Sequence, residues 1–192
     1  LVIVHENRGL DDHIRDVANR FASEGFAVAA PDYLSPIGGS VSDVDTNIAG
    51  IKNISRDQVT EISEYWLSRL SLITDVSARS ILGFCWGGGV VNHCATQLEE
   101  LGKAVMFYGT APDPSQISSI RASLQLHYAE NDDRINAGRD DYLNALSRSG
   151  IAHESHIYEG AGHAFFNDTR DDRYHQKSAE LAFERALGFL KN

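Results

Sequence analysis

Six short, β-prone runs are spaced along the chain with amphipathic stretches between them, and this alternation narrows the possible folds more than any other feature. The runs are Leu1–His5, Phe26–Ala30, Ser80–Phe84, Ala104–Tyr108, Leu124–Tyr128 and His153–Tyr158. Most are continuously apolar rather than alternating, the pattern of strands buried on both faces. Helical spacing is found near Asp12–Glu24, Ser55–Leu70, Gly87–Leu101, Ala137–Ser149 and Tyr174–Leu190. The last of these puts Ala179, Ala182, Phe183, Ala186, Leu187 and Leu190 on one apolar stripe. Such alternation from end to end implies an α/β fold: a mostly parallel sheet flanked by helices on both faces, a three-layer sandwich. The exception is Pro31–Asn53, rich in Gly, Ser, Pro and Asp, which reads as one long irregular segment. A stretch of that kind inside a compact domain serves as a lid or a binding loop.

At 192 residues the chain can bury one full core but not two comfortable ones. No repeat or linker divides it, so residues 1–192 are expected to form a single domain. It opens at Leu1 inside an apolar run rather than at Met, and reads as a chain that starts partway through its natural sequence. A net charge of −10 argues against nucleic-acid binding, which needs a clustered basic face. No apolar run is long enough to span a membrane, and no signal peptide is visible. Cys85 and Cys94 lack zinc-type spacing, so reduced thiols in a cytoplasmic setting are expected, with no metal and no cofactor.

The segment Ser80-Ile81-Leu82-Gly83-Phe84-Cys85-Trp86-Gly87-Gly88-Gly89 carries the most chemistry. A strand ends at Phe84, glycines stand two positions to either side of Cys85, and a helical stretch follows. This is the G-x-nucleophile-x-G elbow of the α/β-hydrolase fold with a thiol as nucleophile. The turn would present Cys85 at the amino end of a helix, where negative charge is favoured, and would aim the backbone N–H of Trp86 at the oxygen of a tetrahedral intermediate. The competing interpretation is a glycine-rich turn carrying a buried cysteine.

On this fold the acid and the base follow the nucleophile in chain order. Asp132 lies just after the run Leu124–Tyr128 and is the better candidate acid, with Asp133 its rival. His163 follows the run His153–Tyr158 through Gly160-Ala161-Gly162 and is the candidate base. Neither His153 and His156, on a strand, nor His93, on the helix after the elbow, has that setting.

Taken together, these residues resemble the dienelactone hydrolase family, also called carboxymethylenebutenolidases, over essentially the whole chain. The resemblance rests on His5-Glu6-Asn7-Arg8-Gly9-Leu10, Ala30-Pro31-Asp32-Tyr33, the elbow Gly83-Phe84-Cys85-Trp86-Gly87-Gly88, Asp132, and Gly160-Ala161-Gly162-His163-Ala164-Phe165. It implies a Cys85–His163–Asp132 triad, Glu6 as an acceptor of the thiol proton when substrate arrives, and backbone N–H groups of Asn7 and Trp86 as the oxyanion hole. It also implies a small ester or lactone substrate opened through a thioester on the cysteine, and further strands ahead of Leu1; a monomer or weak homo-oligomer is expected. Founding members grip a substrate carboxylate with arginines, one of them four residues beyond the catalytic histidine; here Asn167 stands there. Arg8, Tyr33, Phe165 and Asn167 are the candidates for substrate contact. An acyltransferase and a non-catalytic binding protein on the same fold are the rival readings.

Overall fold

The computed structural model describes residues 1–73 and 78–192. Strands β1 (Val2–Val4), β2 (Ser80–Phe84), β3 (Lys103–Phe107), β4 (Ser123–Asn131) and β5 (His153–Gly162) form one sheet in the order β1-β2-β3-β4-β5. Every neighbouring pair is parallel. The helices are α1 (Asp12–Ser23), α2 (Val44–Ile51), α3 (Arg56–Ile73), α4 (Trp86–Gln97), α5 (Asp133–Asn136), α6 (Arg139–Arg148) and α7 (Gln176–Lys191).

Successive side chains of a strand face opposite ways, and the sheet uses both directions. Val2, Val4, Ile81, Ala104, Met106, Leu124 and Leu126 join residues of α3, α4 and α6 in one core. Ile3, Leu82, Phe84, Val105, Phe107 and Ala129 join residues of α1 and α7 in the other. Continuous apolar runs are therefore required in the central strands, and the three-layer α/β sandwich expected from the alternation is the observed architecture. Among the described residues, no helix is long and apolar enough to cross a membrane.

Two expectations are corrected. The run Phe26–Ala30 does not form a full strand; it makes an isolated parallel bridge, Ala29 with Val2, on the outer edge of β1. Its bonds are Leu1 N–H to the Ala27 carbonyl at 2.7 Å, Ala29 N–H to the Leu1 carbonyl at 3.0 Å and Ile3 N–H to the Ala29 carbonyl at 2.8 Å. Pro31, without an N–H, then ends the pairing. The segment Pro31–Asn53 is not irregular throughout: it holds a short 3-10 turn at Ser35–Ile37 and the helix α2. The polar residues that give it a loop-like composition bond mainly to its own backbone. Asp43 caps α2 by accepting from Thr46 N–H at 3.1 Å, Asp32 accepts from Leu34 N–H and Ser40 N–H, and Asn47 bonds both ways with Val41 and donates to the Arg8 carbonyl.

Candidate active site

Because all five strands run the same way, their carboxyl ends share one rim, and each delivers a residue to it. Glu6 follows β1, Cys85 follows β2, Tyr108 follows β3, Asp132 follows β4 and His163 follows β5.

Cys85 is the residue at which β2 becomes α4. Its backbone has φ 55° and ψ −114°, in the half of conformational space that side chains normally avoid. The turn is possible because its neighbours lack side chains: a Cβ on Gly83 would lie 2.3 Å from the Gly87 carbonyl oxygen, and one on Gly87 would lie 2.5 Å from the carbonyl oxygens of Val4 and His5. Cys85 N–H still reaches the Phe107 carbonyl at 3.0 Å, and Gly89 N–H already bonds back to the Cys85 carbonyl at 3.2 Å. Tyr108 and Ala164 are the other non-glycine residues with positive φ among the described residues; Ala164 lines the cleft beside Cys85, and Tyr108 is buried behind it.

His163 Nε2 lies 3.1 Å from Cys85 Sγ, and His163 Nδ1 lies 2.5 Å from Asp132 Oδ2. Asp132 is buried, whereas its rival Asp133 is exposed. Asp132 caps α5, its Oδ1 accepting from Ile135 N–H at 3.4 Å, which leaves Oδ2 for the imidazole. A carboxylate on Nδ1 holds the proton there and turns the Nε2 lone pair toward sulfur. The thiol itself is not preionised: burial, then the charge of Glu6, push it up to about 11. Backbone N–H groups of Trp86 and Asn7 face the sulfur and pull the other way.

Glu6 is buried, its carboxylate held by Asn167 Nδ2 at 2.9 Å and by the Tyr108 hydroxyl at 3.4 Å. The Tyr108 ring also stands edge-on to His163, centroids 5.1 Å apart. Two cavities share Cys85, Asn7 and Arg134 in their walls. One, about 320 Å³, is lined by Ile48, Ile51, Trp86 and Ile135 with Lys52 and Arg56. The other, about 250 Å³, is lined by Glu6, Asn7, His163, Arg8, Arg170 and Arg173, and Arg134 borders both.

Three residues expected at the substrate lie elsewhere. Tyr33 is fully buried under Ser63, to whose hydroxyl its own bonds at 2.8 Å. Phe165 is buried between the rings of Tyr108 and Tyr158. Asn167 is buried on Glu6, so it orients a carboxylate and does not reach a ligand. Arg8 does line the cleft. Tyr108, Arg134 and Arg170 are not among the residues the sequence singles out; Tyr108 closes the run Ala104–Tyr108 and Arg134 stands two positions after Asp132, which were the available hints, and Arg170 had none.

The comparisons with known proteins give the family and the fold. The description "Dienelactone hydrolase family" matches residues 1–192, the whole chain. A Saccharolobus solfataricus protein named "Putative carboxymethylenebutenolidase" is 30% identical, the alignment covering 100% of this chain and 88% of that protein. A Klebsiella pneumoniae crystal structure titled as a "Putative Dienelactone Hydrolase" superposes with a TM-score of 0.89 at 26% identity, covering 100% of this chain and 85% of that one. A "Dienelactone Hydrolase-like Promiscuous" phosphotriesterase from metagenomic libraries shares the fold, with a TM-score of 0.82 at 19% identity, over 99% of this chain and 84% of that one. With the parallel sheet, the elbow and the match over its full length, the chain belongs to the dienelactone hydrolase family.

Proposed function

We propose that the protein hydrolyses small carboxylic esters or lactones through a thioester on Cys85. The observation that carries this reading is the Asp132–His163–Cys85 relay at the rim of the sheet, with bonds of 2.5 and 3.1 Å. The substrate carbonyl oxygen takes the place beside Asn7 N–H and Trp86 N–H, which then stabilise the charge that develops on it. His163 Nε2 accepts the thiol proton as Sγ bonds to the carbonyl carbon, and Asp132 stabilises the imidazolium. The tetrahedral intermediate collapses, the C–O bond breaks, and His163 returns the proton to the leaving oxygen. Water then gives a proton to His163 and attacks the thioester, releasing the acid and restoring the thiol. A neutral resting thiol fits this order, since proton transfer waits for a carbonyl to attack.

The rim also favours one class of substrate. Six of the chain's 17 basic residues line the two cavities, against one carboxylate, Glu6, in a protein of net charge −10. A local positive field in a cleft concentrates anions, so we infer a substrate that carries a carboxylate beside the scissile bond. The test is turnover on paired aryl esters and lactones with and without a carboxylate. The expected result is a kcat/KM higher by about 10-fold or more for the anionic member, which falls as salt screens the field. Equal rates at low salt would remove the anion preference, and no turnover of any ester would remove the hydrolytic reading.

A further inference from the structure

We propose that His5 is a positioning residue for the oxyanion hole: it grips the carbonyl of the Glu6–Asn7 peptide and thereby sets the direction of the Asn7 N–H. The proposal rests on the hydrolytic reading above and deepens it. His5 follows β1, is fully buried, and lines neither cavity beside Cys85. Both of its ring nitrogens have partners of fixed polarity. Tyr33 N–H donates to Nε2 at 3.0 Å, so Nε2 carries a lone pair. The proton must then sit on Nδ1, which faces the Glu6 carbonyl oxygen, an acceptor, at 2.7 Å. The tautomer is set by two backbone groups, without recourse to the ring's surroundings.

The Glu6 carbonyl and the Asn7 N–H belong to the same planar trans peptide, in which they point in opposite directions. Holding the oxygen from behind therefore aims the N–H forward, at Cys85. The same imidazole stacks on the indole of Trp86, centroids 5.5 Å apart and planes 21° from parallel. Trp86 supplies the second N–H. Tyr33 closes the remaining side with its ring edge-on at 5.6 Å and 82°. One buried ring thus lies between the two residues whose backbone faces the reacting atoms. Burial keeps it neutral against the pull of Asp32 and Asp11, so its donor and acceptor do not exchange roles.

The two amide side chains separate the roles of the two nitrogens. In His5→Asn the amide nitrogen can occupy the place of Nδ1 and keep the grip on Glu6, while the acceptor for Tyr33 is lost. In His5→Gln the amide oxygen can occupy the place of Nε2 and keep Tyr33, while the grip is lost. We expect His5→Gln to lower kcat on an aryl ester by about 10-fold or more with KM within about 2-fold, since a misdirected oxyanion donor acts on the transition state. His5→Asn should retain kcat within about 3-fold. A purely structural role predicts parallel losses in both, tracking their melting temperatures, and that result would overturn the proposal. Crystal structures of both variants provide a readout independent of turnover: the Glu6–Asn7 peptide should rotate in the Gln variant and stay in the Asn variant. An unrotated peptide in His5→Gln refutes the role of His5 whether or not the protein is an esterase. Absence of Cys85-dependent turnover in the unaltered protein refutes the hydrolytic reading alone.

Discussion

Helix α4 connects two thiols that differ less in acidity than in company. Cys85 stands at its amino end, strained, half-buried and open to both cavities. Cys94 lies further along, fully buried, donating to the Ser63 hydroxyl at 3.4 Å beneath Tyr33. Burial pushes both thiols up to about 11. A raised value is thus no mark of function here. What separates the two is a base within proton-transfer reach and a path for ligand, and only Cys85 has them, through His163 and the cleft.

The contrast is broken most directly by deletion. Cys85→Ala should lower ester turnover by about 10³-fold or more, as expected for loss of a covalent nucleophile, while Cys94→Ala leaves it within about 2-fold; steady-state kinetics on a p-nitrophenyl ester decide it. Equal losses would place the function in the fold rather than in the elbow. Iodoacetamide should modify Cys85 in the native protein and Cys94 only after unfolding, by peptide mass mapping. Native labelling of both at similar rates would mean that access does not distinguish them.

Charge sharpens the comparison further. Glu6 is the second cause, after burial, of the high Cys85 value, whereas at Cys94 the one carboxylate, Glu64, comes last, behind burial, the Ser63 hydroxyl and Arg56. Removing a negative charge stabilises the thiolate, so Glu6→Gln should move the pH midpoint of Cys85 alkylation downward from about 11. An unmoved or raised midpoint would reject the electrostatic role. The smallest effect is on stability: Cys94→Ala removes one buried sulfur and should cost about 1 kcal/mol, read as a drop in the denaturant midpoint with no change in pH profile.

The sheet and the relay were legible in the sequence because each is written in local signals. Central strands buried on both faces need continuous apolar runs, and Cys85, Asp132 and His163 each sit just past one. The glycines around Cys85 state the turn outright. What could not be read depends on contacts far apart in the chain. Asn167 is 161 positions from Glu6, and only the alignment of β1 and β5 on one rim makes it that residue's donor. Tyr33 and Phe165 stand in family motifs, yet motif membership does not say which way a side chain faces. The segment from Pro31 to Asn53 misled for a different reason: its Asp, Ser and Asn residues suggest a loop by composition, while their hydrogen bonds cap α2 and close the turns around it.

On the proposed hydrolytic reading, the delivery of Cys85, Asp132 and His163 from three strand ends turns turnover into a gauge of strand alignment. A parallel strand displaced by one residue moves its end by roughly 3.3 Å and sends its side chains to the opposite face. If β4 slipped so against β3, the carboxylate beyond it would leave the imidazole. Such a chain could still be compact and rich in helix, and it would be silent on ester. Recovery of activity after refolding therefore measures how many molecules found the correct alignment, which circular dichroism alone does not count.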